Sequence, residues 1–113
     1  MGTMPVETAD KVIALSRDFH SQRRLAELLG VSPAQITRWR NGSGIDAVNA
    51  QRVDLLELAM SSLLRVYSPE AAQDWLLGVN PHLRDRRPVD LIRAGNTREL
   101  LEAIEVEAAG SFA

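Results

Sequence analysis

The stretch from Ser21 to Gly42, SQRRLAELLGVSPAQITRWRNG, decides the fold of this 113-residue chain. Ser21 stands where a helix N-cap is wanted, ahead of Gln22-Arg23-Arg24-Leu25-Ala26-Glu27-Leu28-Leu29. Gly30 follows as a residue that can take the left-handed conformation closing a helix. Two residues later Ser32-Pro33-Ala34-Gln35 joins a capping serine, a proline at the first helical position and a glutamine three residues after the cap, all signals of a helix start. That helix continues through Ile36, Thr37, Arg38, Trp39 and Arg40 and stops at the turn-forming Asn41-Gly42-Ser43-Gly44. Ala26 is small where two helices would cross, and Ile36 and Trp39 lie three apart to anchor the second helix. Pro33, Ala34, Gln35, Thr37, Arg38 and Asn41 are left pointing wholly or partly outward.

Working outward, Val12, Leu15 and Phe19 recur at helical spacing and predict a short amphipathic helix over 9–19. On the other side a helical pattern runs from Asp46 to Tyr67, and ten of the fifteen residues from Val53 to Tyr67 are apolar. Val53, Leu56, Met60, Leu63 and Tyr67 form one stripe, and Leu55, Leu58, Ala59 and Val66 a second. Such a helix is too apolar all round to leave half its surface in water, so it is expected to be a central helix or an oligomer seam. Ser68-Pro69 starts a helix through Trp75-Leu76-Leu77 that ends at Gly78, and Asn80-Pro81-His82 reads as a turn. Val89 to Ala94 forms another short helix. Asn96 and Glu99 at capping-box spacing open the last, which carries Leu100, Leu101, Ile104 and Ala108 on one side. No alternating strand pattern, fixed-period repeat or low-complexity segment appears. The expected class is all-α: an amino-terminal module over 1–45 and a helical domain with a long central helix over 46–113.

Composition narrows the function. Apolar residues make up 45% and charged residues 25%, ordinary values for a soluble domain with no membrane span. The absence of cysteine removes thiolate nucleophiles, disulfides and Cys-based metal sites. His20 and His82 are isolated, and there is no nucleophile elbow or phosphate loop. The sequence therefore offers no catalytic set, no metal site, no cofactor and no small-molecule substrate pocket. Met1 to Asp10 lack a signal-peptide pattern, so a cytoplasmic protein is expected. Charge is unevenly placed: from Arg17 to Gly42 five basic residues meet two acidic ones, a net +3 that leaves −5 for the rest of a chain whose total is −2. A basic module joined to an acidic one points to two partners of different kinds.

The register of Gln22, Ala26, Gly30-Val31-Ser32, Ile36 and Trp39 resembles the helix-turn-helix of Xre-type bacterial DNA-binding proteins. In that arrangement the start of the second helix enters the major groove. Arg38 can then reach guanine O6 and N7, and Gln35 or Thr37 a base edge or phosphate. Gln22, Arg23 and Arg24 sit on the backbone at the start of the first helix. Ser32 and Asn41, at the two ends of the recognition helix, complete the DNA-binding set. Pro33 and Ala34 bring no hydrogen-bond donor, which shifts weight onto phosphate contacts.

Beyond Gly42, Gln51-Arg52, Trp75-Leu76, Asn80-Pro81 with Leu83, Pro88-Val89-Asp90-Leu91-Ile92 and the terminal Gly110-Ser111-Phe112-Ala113 resemble the Xre/MbcA/ParS-like antitoxin family over nearly the whole chain. The resemblance implies a type II antitoxin that represses its own operon by binding operator DNA. It also implies that this antitoxin neutralises a RES-domain toxin that degrades NAD. In that family the carboxyl terminus plugs the toxin's NAD cleft, which here assigns the plug to Gly110, Ser111, Phe112 and Ala113. Glu102 and Glu105 would suit a basic cleft, and Trp75 and Arg87 would be further toxin contacts. Arg84, Arg86 and Arg87 form a small basic cluster that could pair with Asp85, Asp90 or a toxin carboxylate. A homodimer within a larger complex is expected from the apolar helix. The competing reading is a free-standing helix-turn-helix regulator whose carboxyl-terminal helices serve only dimerisation.

Overall fold

A computed structural model describes residues 3–19 and 21–110, with side chains from Thr8 onward. Among the described residues are seven α-helices and one 3-10 turn: α1 Thr3–Asp18, α2 Gln22–Leu29, α3 Pro33–Arg40, α4 Ala47–Leu63, α5 Pro69–Leu77, the 3-10 turn Pro81–Leu83, α6 Pro88–Ala94 and α7 Thr97–Gly110. No strand is present among them, and the one β-bridge pairs Asn80 with Arg86. The class is all-α, with the helix-turn-helix expected from the sequence. No described helix is long and apolar enough to cross a membrane. His20, Ser111, Phe112 and Ala113 lie outside the described residues.

Local chemistry sets the helix ends. Ser21, Ser32 and Ser68 are extended N-caps whose hydroxyls accept from the backbone N–H groups of Arg24, Gln35 and Ala71. Each satisfies one of the donors a first turn leaves unpaired. Pro33, Pro69 and Pro88 follow at the first helical position, where a missing N–H costs nothing. Gly30 and Gly95 close α2 and α6 at φ 73° and 76°, in the left-handed region that favours glycine. Asp46 serves α4 in the same way as the serines: one carboxylate oxygen accepts from the Asn49 backbone at 3.2 Å and the other from the Asn49 amide at 2.7 Å. These bonds favour the charged form and hold its pKa below the ordinary 3.8. α1 starts well before the predicted Ala9. Pro5 falls in its first turn, the one place a proline leaves a helix intact.

The described residues form two compact units, one ending at Glu57 and one beginning at Leu58, so they part within α4. In the first unit Val12, Leu15 and Phe19 of the α1 segment, Leu25, Ala26, Leu28 and Leu29 of α2, and Ile36 and Trp39 of α3 are buried. An ion pair of 2.8 Å joins Lys11 to Asp54. Residues 8–45 of the expected amino-terminal module fall wholly within this unit. In the second unit Leu63, Ala72, Leu76, Leu83, Val89, Leu91, Ile92, Leu100, Ala103 and Ile104 are buried. Both stripes of α4 largely disappear from solvent: Val53, Leu55, Leu56, Ala59, Met60 and Leu63 are buried, whereas Leu58 stays 43% exposed.

Arg84 and Asp85 follow the 3-10 turn with φ of 57° and 62°. Two successive non-glycine residues in the left-handed region carry a backbone cost of about 1 kcal/mol or more each. Asn80 holds the turn: it is buried, its side chain accepts from the His82 N–H at 2.9 Å and its carbonyl accepts from Leu83 and Asp85. The reversal delivers Arg86 back against Asn80 and on into α6.

Candidate nucleic-acid interface and partner face

With Ile36 and Trp39 buried on the inner side of α3, a helix of 3.6 residues per turn must turn Ala34, Thr37, Arg38 and Asn41 outward. All four are exposed. Gln22, the first residue of α2, reaches across to this helix. Its amide nitrogen donates to Thr37 Oγ1 at 2.6 Å and to the Pro33 carbonyl at 3.1 Å, while its oxygen accepts from Arg40 Nη1 at 2.9 Å. Thr37 also donates to the Pro33 carbonyl at 3.4 Å. On the other flank Arg38 Nη2 donates to Gln35 Oε1 at 2.9 Å. Two guanidinium groups are thus oriented by side-chain amides on either side of the outward face.

The structure brings Gln22, Thr37 and Arg40 together, and Gln35 with Arg38. Ser32 is the cap of α3 and Asn41 its carboxyl-terminal cap, both exposed. Arg23 is exposed, and Arg24 lies 3.5 Å from Glu27. Arg40 was absent from the sequence-derived set. The signal for it is its spacing: Pro33, Thr37 and Arg40 recur at i, i+4 and i+7, on the side of α3 that Gln22 meets.

In the second unit the expected partner residues are spread apart. Glu105 opens onto a groove of about 270 Å³ lined by Ser62, Arg65, Val66, Ile104, Ala108 and Ala109. Glu102 lies in another hollow with His82, Leu83, Glu99, Ala103 and Val106. Neither hollow includes Trp75, which is half-buried on α5, or Arg87, whose guanidinium holds Asp90 at 3.2 and 3.3 Å. Glu102 lies 3.7 Å from Arg98, one turn back on α7. Gly110 is exposed at the end of α7 with open space about its Cα.

Two carboxylates behave differently from the simple reading of an acidic face. Arg86 pairs with Glu99 of α7, thirteen residues on, rather than with Asp85 or Asp90. The hydrogen bond from Arg86, aided by the charges of Arg86 and Arg84, holds the Glu99 carboxyl below its usual range. Glu107, on the last turns of α7, accepts from the Tyr67 hydroxyl. That bond ties the segment after α4 to the end of α7. Burial raises the pKa of Asp18 in the amino-terminal unit. No cluster of three metal-ligating side chains occurs among the described residues.

The family model for helix-turn-helix domains matches residues 20–60. Over 100 residues the chain is 28% identical to the mycobacterial cidal antitoxin MbcA of Mycobacterium bovis and of Mycobacterium tuberculosis, covering 88% of both sequences. Its fold matches a chain in the crystal structure of the M. tuberculosis MbcT-MbcA toxin-antitoxin complex with a TM-score of 0.74 and 26% identity, over 93% of this chain and 96% of that one. A DNA-binding motif alone would explain a likeness confined to residues 20–60. Because the likeness extends in sequence and structure across nearly the whole chain, this chain is similar to the MbcA antitoxins over almost its full length and not in its helix-turn-helix alone.

Proposed function

We propose that this chain is a cytoplasmic type II antitoxin that neutralises a RES-domain, NAD-degrading toxin and represses its own operon through the helix-turn-helix. The observation that carries the toxin half is the near full-length match to a chain of a toxin-antitoxin complex. The DNA half is supported by the outward face of α3, where Arg38 and Arg40 stand oriented by Gln35 and Gln22. Its task is inhibition rather than catalysis. A homodimer presenting two such helices would read two half-sites about one helical turn of DNA apart.

For the toxin, the proposed plug is Gly110-Ser111-Phe112-Ala113, continuing from α7, with Glu102 and Glu105 facing basic surface beside the NAD cleft. Trp75 and Arg87 act as further contacts. The test is co-expression with the product of the adjacent gene, followed by measurement of cellular NAD. The intact chain should preserve NAD, and a chain lacking 110–113 should still co-purify with the toxin while NAD falls. Equal protection by the shortened chain would remove the plugging mechanism. An adjacent product that neither binds this chain nor consumes NAD would favour the free-standing regulator.

A further inference from the structure

The geometry of α3 points to a specific base readout: Ala34 recognises the 5-methyl group of a thymine, next to a base contacted by Arg38. This rests on the DNA-binding reading above and names what that surface selects. The first turns of a recognition helix approach the base edges most closely. In α3 the side-chain oxygens of those turns already accept hydrogen bonds. Ser32 Oγ accepts from the Gln35 N–H at 3.2 Å, and Gln35 Oε1 accepts from Arg38. Thr37 Oγ1 accepts from Gln22 and donates to the Pro33 carbonyl, which also accepts from Gln22. Pro33 has no N–H. Besides the Gln35 amide N–H groups, the leading turn therefore offers a base the proline ring and the exposed Ala34 methyl.

The four base pairs do not accept such a surface equally. Adenine, guanine and cytosine present hydrogen-bonding groups to the major groove, and an alanine there leaves them desolvated without a partner. Thymine alone adds a methyl group, whose natural counterpart is an apolar side chain. Arg38 lies one turn beyond Ala34 on the same exposed face. With one N–H of its guanidinium on Gln35, others remain for guanine O6 and N7. The half-site so specified contains a thymine, read by its methyl, close to a guanine.

The test uses the full chain and needs no variant for its first arm. Duplexes are selected from a random library, and each thymine of the selected site is replaced singly by deoxyuridine, which removes only the methyl. One position in each half-site should lose about fourfold in affinity, the worth of one buried methyl. Ala34→Gly, checked for an unchanged melting curve, should bind the parent duplex more weakly and be indifferent to that replacement. If every deoxyuridine duplex binds like its parent, or if Ala34→Gly keeps the same sensitivity, the methyl reading is overturned. If no duplex is selected at all, the DNA-binding reading fails with it, and the two failures are told apart.

Discussion

Gln22 and Thr37, fifteen residues apart, are joined by a 2.6 Å hydrogen bond across the helix-turn-helix. The same amide holds Arg40 through its oxygen. One side chain thus fixes a hydroxyl and a cation of the recognition helix. An amide that binds on both sides has no isostere among apolar residues, so the cluster predicts a particular pattern of DNA affinities.

Gln22→Leu should weaken operator binding while changing folding stability by less than about 0.5 kcal/mol, since the site is on the surface. Arg40→Ala should weaken binding across all sequences alike and lower the slope of affinity against salt by about one, as expected when one phosphate contact is lost. Combined, the two changes should cost less than their sum, because Gln22 acts partly through Arg40. Affinities measured over a salt series for both single variants and the double variant test this. Strict additivity would separate the two residues.

Trp39 is 1% exposed and anchors α3 from within. Trp39→Ala should destabilise the protein by about 3 to 5 kcal/mol, through lost burial and the cavity left behind. Denaturant unfolding measures it. Arg38→Ala, on the exposed side of the same helix, should leave the unfolding midpoint in place and reduce operator affinity by about 1 to 3 kcal/mol if the base contact is bidentate.

The Arg86–Glu99 pair makes a pH prediction. Glu99 is held below its ordinary value of 4.5, and Asp46 below its ordinary 3.8, each because hydrogen bonds favour the carboxylate. A depressed folded pKa contributes stability that is fully present above the unfolded value and is lost as pH falls through the folded one. Glu99→Gln should therefore be less stable than the parent at neutral pH, and the gap should close in acid below the ordinary carboxylate range. Asp46→Asn should narrow its own gap at slightly lower pH. Both carboxylates are solvent-exposed, so the effects are small and best read as differences in melting temperature between variant and parent. A gap that stays constant with pH would mean the pairs contribute nothing to folding.

What the sequence shows well are features written in adjacent residues. Ser32 before Pro33 and Gly30 after Leu29 carry their own φ preferences and hydrogen-bonding groups, and the helix ends fall where those residues place them. Buried stripes such as Val53, Leu56, Met60 and Leu63 follow from period alone. Partners of long polar side chains do not. Arg86 has acids at Asp85 and Asp90 nearby in sequence, yet the left-handed pair Arg84 and Asp85 reverses the chain and presents it to Glu99. Gln22 meeting Arg40 depends in the same way on how α2 and α3 cross: local spacing puts Arg40 on the Thr37 side of α3 but does not name its partner. The tail assignment lies beyond Gly110 and stands on resemblance rather than on geometry.

Tyr67 and Glu107 bear on that tail. The phenol after α4 donates to a carboxylate three residues before the end of α7, so it braces the helix from which the proposed plug extends. A hydrogen bond to a charged acceptor contributes about 1.5 to 3 kcal/mol. Tyr67→Phe keeps the ring and removes only that donor. If the bond orients the end of α7, Tyr67→Phe should leave toxin capture intact but allow faster NAD loss than the parent in the co-expression assay. Hydrogen exchange should show earlier opening confined to the last turns of α7. Glu107→Gln keeps an acceptor of the same shape without the charge, and is expected to fall between the two. If exchange in α7 is unchanged in Tyr67→Phe, or if NAD is protected as well as by the parent, then the brace has no part in presenting the carboxyl terminus.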